Sequence, residues 1–361
     1  MKNKLIRTWP DWAAHAAAAW SIAYGCLALT WAIGYEGFPY QSIAKITATP
    51  RMAAALIAAF SLASSLFALR LRTVRGNTRQ AKTSAALAYG LAFTLAVIVP
   101  DARAIATVAY APIFLIGAPF GWPPVSFSVA VPWVVQHQFI CILGGFLWAA
   151  AALAFWRRSR NACASCGRSA QPPKWTQPEN AARWGSWAVW LAVVLPLFYA
   201  ATRIAWAIGI PLGITRAFLR EGQEIGMWWA GAALASVDVG GALLTLGLRQ
   251  RWGEVFPRWI PWARGRRVPP LLAIIPAALV STLSVAAGLD IVRRFLREGF
   301  PAEGWATTAP ALLWPLWGVA LGAATLAYYY RRRGPCTRCG YAQPFVKHNT
   351  FTECIQAGER N

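Results

Sequence analysis

Four of the chain's seven cysteines repeat one spacing: Cys163-Ala-Ser-Cys166-Gly167 and Cys336-Thr-Arg-Cys339-Gly340. Two thiolates three positions apart bind one edge of a metal tetrahedron, and the glycine lets the backbone turn beneath it. One such pair is half a site. Two pairs complete it, so Cys163, Cys166, Cys336 and Cys339 are expected to share one structural Zn2+. Four protein thiolates leave the metal no open position, which makes the site structural rather than catalytic. Three other uses stay open. The tail alone could bind metal through Cys336, Cys339, His348 and Cys354. The pairs could be redox-active, although neither opens a helix in a βαβ pattern. Or they could carry no metal. Cys26 and Cys141 fall inside apolar runs and read as small packing residues.

A second set of candidates lies within those apolar runs. Asp238 sits about twelve residues into its run, near mid-membrane by helical rise. A carboxylate at that depth is costly and points to function. Arg203 is its expected partner, at a depth differing by about 8 Å. The plain alternative is a packing ion pair, or a protonated Asp238 bonded to Ser236. Gln136-His137-Gln138 puts three polar residues in succession, and on a helix they must face several directions. At least one should line a polar cavity, and His137 is either a proton relay or a hydrogen-bonded structural histidine. Asp238, Arg203, His137, Gln136 and Gln138 are therefore the candidate polar or transport site. No phosphate loop, nucleophile elbow, His-Glu-x-x-His or carboxylate dyad occurs, and no catalytic residue is assigned.

Membrane-length helices must position these residues. The chain has 361 residues, 57% hydrophobic and only 13% charged, against roughly 25% charged in soluble domains. Eight stretches are apolar over the roughly 20 residues a bilayer requires: 12–34, 52–69, 84–100, 127–155, 186–209, 226–248, 270–290 and 309–330. Tryptophans gather near their ends, as at Trp9, Trp12, Trp184 and Trp187. The stretch 101–125, interrupted by Pro112, Pro119, Pro123 and Pro124, is expected as an interfacial cap rather than a re-entrant dip. Lys2, Lys4 and Arg7 ahead of an apolar run resemble a signal peptide, but the run's length and the acid at its start favour an uncleaved first span.

The net charge of +22 would suit a nucleic-acid binder, but its distribution suits a membrane. With the N-terminus inside, the inner segments carry 26 of the 35 Lys and Arg. That asymmetry predicts a bacterial cytoplasmic membrane protein with both termini cytoplasmic, inner loops against anionic headgroups, and no nucleic-acid partner.

The halves also echo one another. Pro10-Asp11 and Pro178-Glu179 open corresponding spans with a proline and an acid, both suited to a helix start. Trp-Ala-Ile-Gly ends the same two spans at 31–34 and 206–209, and each half closes on arginines and a cysteine pair. The expectation is an all-α polytopic bundle of eight spans in two tandem four-helix repeats. The division is 1–168 for the first repeat, 169–183 for a cytoplasmic linker, 184–341 for the second repeat and 342–361 for a tail. Phe218-Leu219-Arg220-Glu221-Gly222 recurs at 295–299 and reads as a helix-capping turn.

The stretch Trp252-Gly253-Glu254-Val255-Phe256-Pro257-Arg258-Trp259-Ile260-Pro261, and Tyr328-Tyr329-Tyr330-Arg331-Arg332-Arg333 before a cysteine pair, resemble multi-spanning bacterial membrane proteins of actinobacterial type. That family has no assigned activity. The resemblance implies the fold and supplies no site residue. Three functions stay open. One is solute or ion transport through the polar site between the repeats. Another is a regulatory or scaffold protein binding a cytoplasmic protein partner. The third is a membrane-bound thiol-redox enzyme. The first is favoured because the costly polar groups lie in the spans.

Overall fold

The computed structural model describes residues 7–40, 49–73, 79–120, 127–261 and 263–340. Lys2, Lys4, Pro123, Pro124, His348 and Cys354 lie outside the described residues. Helices in chain order are α1 (Trp9–Ala32), α2 (Pro50–Arg70), α3 (Arg79–Phe93, continued by a π turn over Thr94–Ile98), α4 (Ala102–Gly117), α5 (Phe127–Ala130), α6 (Trp133–Ser159), α7 (Pro178–Ala207), α8 (Arg216–Glu224), α9 (Met227–Leu246), α10 (Pro270–Glu298) and α11 (Trp314–Arg332). Among the described residues there is no strand; one isolated bridge joins Val255 to Arg267. Among the described residues the fold is all-α, and eight helices are long and apolar enough to cross a bilayer.

Helix starts follow local chemistry. Pro10, Pro50, Pro178 and Pro270 stand in first turns, where a missing N–H costs nothing. Asp11 and Glu179 add a carboxylate there. The Thr49 side chain accepts a hydrogen bond from the Met52 N–H and caps α2. Three boundaries differ from the sequence expectation by six residues or more, the first being that α7 begins at Pro178 rather than at 186. The fourth span begins at Trp133 because Pro132 caps α6, and α10 continues past residue 290 to Glu298 with three arginines in its last turns. The stretch expected to be broken at Pro112 instead forms α4, with Pro112 inside it. At 16 residues α4 is too short to span.

The chain divides into two compact units. The first comprises the described residues up to Val99, Val131–Pro172 and those from Arg333 onward; the second comprises Pro100–Ala130 and Pro173–Arg332. The first contains α1, α2, α3 and α6, with α1 packed on α2 and α6, and α3 on α6. The second contains α7, α9, α10 and α11, with α7 packed on α9 and α11, α10 on α11, and α4 against α10. The described residues between 100 and 130 thus group with the second unit.

Small residues make up much of the interiors, around a few large side chains such as Trp148 and Phe155. In the first unit Ala13, Ala17, Ala81, Ala88 and Ala152 are fully buried, while Leu56, Phe60 and Leu66 on α2 are exposed. Lipid removes the hydrophobic drive between helices, so close packing of small side chains helps hold them together and many bulky apolar ones can face outward. Gly144 shows how tight this is: a Cβ there would stand 2.3 Å from the Trp20 ring.

Candidate metal centre and membrane-embedded polar groups

Cys163 and Cys166 follow α6, and Cys336 and Cys339 follow α11; all four belong to the first unit. Each pair folds as the same knuckle. The Gly167 N–H donates to the Cys163 carbonyl at 2.7 Å, and the Gly340 N–H donates to the Cys336 carbonyl at 2.8 Å. Both glycines take positive φ, +73° and +69°, which a side chain would resist.

The knuckles face each other. Cys163 Sγ lies 3.9 Å from Cys336 Sγ, Cys166 Sγ lies 3.7 Å from Cys339 Sγ, and all four sulfurs fall within 4.8 Å of one another. A disulfide would bring two sulfurs to about 2.05 Å, so neither cross-pair is bonded. A metal with thiolates at about 2.3 Å sets its sulfurs about 3.8 Å apart, the spacing of these two edges. The four cysteines can hold a metal ion. Hydrogen bonding from Cys166 holds Cys163 well below the ordinary thiol range, and the same interaction pushes Cys166 up to about 11.

Arginines fix the surrounding backbone. Arg157 Nη1 donates to the Ala164 and Ser165 carbonyls at 3.1 and 2.8 Å. Arg168, 2% exposed, donates to the Gly334 carbonyl at 3.1 Å, and Arg333 donates to the Cys166 carbonyl at 3.3 Å. Each knuckle is thus gripped from the other's flank. Arg338 pairs with Asp11 of α1 at 2.8 Å, tying the second knuckle to the start of the first span. Sequence reasoning did not identify these arginines as a group. Their positions beside the cysteine pairs were the available signal.

The membrane-embedded candidates divide between the units. His137 lies in the first unit and is 1% exposed. It is 2.8 Å from Tyr24 Oη and 3.4 Å from Tyr40 Oη through Nε2, and the two hydroxyls are 2.8 Å apart. Cys141, one turn further along α6, places its sulfur 3.6 Å from the same nitrogen. Trp31 and Trp133 enclose the imidazole, and Trp20 stacks on Tyr24 at 4.9 Å. This is a closed hydrogen-bonded cluster. Cys141 belongs to it and is more than a packing residue. The i, i+4 spacing of His137 and Cys141 was legible in sequence; the two tyrosines were not, because nothing local links them. Gln136 donates to the Val131 carbonyl at 2.8 Å, and Gln138 is 3% exposed.

A cavity of about 320 Å³ lies beside this cluster, with Tyr24, Tyr40 and Ser61 in its wall. Ser61 is 8% exposed and makes no hydrogen bond with another described residue.

Asp238 and Arg203 lie in the second unit. Asp238 is half-buried at the middle of α9. Arg203 is the cation whose field reaches it, yet no ion pair within 4.0 Å joins them among the described residues. The Arg203 guanidinium is instead sandwiched between the rings of Tyr199 and Trp206, 4.3 and 4.2 Å from their centroids. Its Nη1 is buried without a hydrogen-bond partner among the described residues.

No protein-family model, no curated protein and no solved structure matches this chain.

Proposed function

We propose that the chain is a multi-pass protein of a bacterial cytoplasmic membrane that handles a solute or ion, with a structural Zn2+ holding its cytoplasmic ends together. The observation that carries the solute assignment is Asp238: a carboxylate at the centre of a membrane-length helix, in the field of a cation it does not pair with. A packing ion pair would close the two groups onto each other, because an unpaired charge in that setting is costly. Arg203 Nη1, which is buried and bonds no other described residue, supports the same assignment. The geometry of the four cysteines supports zinc, since tetrahedral thiolate sites are the common use of paired Cys-x-x-Cys knuckles. The positive-inside count supports placing those knuckles in the reducing cytoplasm, where thiols persist.

The test is a thermal-shift screen of the purified full-length protein against inorganic ions, amino acids and small organic acids. A ligand that raises the melting temperature of the wild type and leaves Asp238→Asn unmoved carries the proposal, because ligand binding stabilises the folded state by mass action. The proposal falls if Asp238→Asn and Arg203→Gln respond to every hit as the wild type does. It falls equally if both variants match the wild type in growth, uptake and stability.

A further inference from the structure

In the second unit a cavity of about 440 Å³ opens between the start of α7, the end of α9 and the end of α11. Three arginines from three separate segments line it: Arg183 on α7, Arg249 just beyond α9, and Arg331 in the last turn of α11. No carboxylate of a described residue lines it. Arg331 is anchored, pairing with Glu254 at 3.3 Å and donating to the Leu248 carbonyl. Arg183 and Arg249 form no hydrogen bond or ion pair with another described residue, although Arg249 lies 6.0 Å from the Trp190 ring centroid. One fixed cation and two free ones around a concave space form an anion cradle.

The rest of the lining identifies the kind of anion. Ser186 offers a hydroxyl, while Val189, Leu248 and Ala324 form an apolar floor. A free anion has no use for that floor, but an acyl chain does. Trp187 and Trp190, next in sequence to the lining residues Ser186 and Val189 of α7, are 75% and 48% exposed, as rings are at headgroup depth. The volume suits a headgroup with its first acyl carbons. We infer that Arg183, Arg249 and Arg331 bind the phosphate of an anionic phospholipid, with Ser186 donating to a phosphate oxygen and the acyl chains leaving over Val189 and Leu248. A bound lipid would then bridge α7, α9 and α11. This is a defined site, distinct from the diffuse attraction of basic loops to a charged surface.

The experiment uses the full-length protein in a neutral detergent, with dioleoylphosphatidylglycerol, dioleoylphosphatidylcholine and inorganic phosphate as probes and native mass spectrometry as readout. Phosphatidylglycerol should be retained at least about tenfold better than phosphatidylcholine. An arginine near a lipid phosphate contributes roughly a fivefold change in affinity, so Arg183→Gln/Arg249→Gln should lose about 25-fold. Equal retention of the two lipids, or undiminished phosphatidylglycerol binding by the double variant, would overturn the site. Displacement of the lipid by equimolar inorganic phosphate would overturn the lipid assignment and leave a phosphate site. Ser186→Leu fills the cavity without touching a charge. It should reduce phosphatidylglycerol binding while the melting temperature stays within a few degrees, which guards against a charge variant that fails to fold.

Discussion

Cys163 and Cys336 stand 173 positions apart in the chain with their sulfurs 3.9 Å from each other. A metal between the knuckles therefore fastens the segment after α11 to the segment after α6, closing a very long loop. In the chain-entropy picture such long closures give the largest constraint on the unfolded state. The purified protein should contain one zinc per chain. Cys163→Ser and Cys336→Ser should each lose it, weakening binding by more than the roughly 10–100-fold that loss of an outer-sphere partner costs. Elemental analysis by inductively coupled plasma mass spectrometry checks this. Full occupancy in either variant would exclude the shared site.

The two knuckle glycines give a graded test. Alanine at Gly340 meets no atom within 4 Å, so it bears only the cost of the left-handed backbone, about 1–2 kcal/mol. Alanine at Gly167 bears the same cost and would also stand 2.9 Å from the Arg157 guanidinium. Zinc affinity, measured by competition with a chromogenic chelator, should fall in the order wild type, Gly340→Ala, Gly167→Ala. The reverse order would mean that Arg157 yields freely and does not brace the turn.

Much of this organisation was legible in the sequence, for identifiable reasons. Hydropathy locates helices because lipid requires every backbone group to be satisfied within the segment. The cysteine pairs were legible because their chemistry is local, and their meeting followed from needing four ligands. Helix partners were harder to read, since buried alanines and exposed leucines invert the soluble pattern and leave little amphipathic signal. The interruption expected at Pro112 does not occur, because local rules cannot anticipate a helix docked along α10. The expected proximity of Arg203 and Asp238 came from depth alone. Depth says nothing about which face of the helix a side chain takes, and Tyr199 and Trp206, at −4 and +3 from Arg203, hold its guanidinium.

The first unit's packing gives a pair of glycine substitutions with opposite signs. Gly144 on α6 accommodates the Trp20 ring, whose Nε1 donates to the Ile140 carbonyl at 3.1 Å. Gly144→Ala pushes that ring away and should destabilise by about 1–3 kcal/mol, the usual cost of overpacking. Gly90 is exposed in mid-helix with no atom within 4 Å of an added Cβ. Gly90→Ala should be neutral or stabilise by up to about 1 kcal/mol. Melting temperatures in one detergent decide the matter, and equal effects would show that the α1–α6 contact is looser than described.

Arg203 and Asp238 can be separated by conservative changes. Arg203→Lys keeps the charge but loses the planar group between Tyr199 and Trp206, a stacking contribution of about 0.5–2 kcal/mol. Its melting temperature should drop. Asp238→Asn removes a charge that no ion pair compensates, so the folded protein should be as stable as the wild type or more so. The double variant should then show a coupling smaller than that of residues in contact, because only the field of Arg203, and no ion pair, links the two side chains. A loss of stability in Asp238→Asn, rescued when Arg203 is replaced by Gln, would reveal a structural ion pair and remove the basis for assigning these groups to a solute.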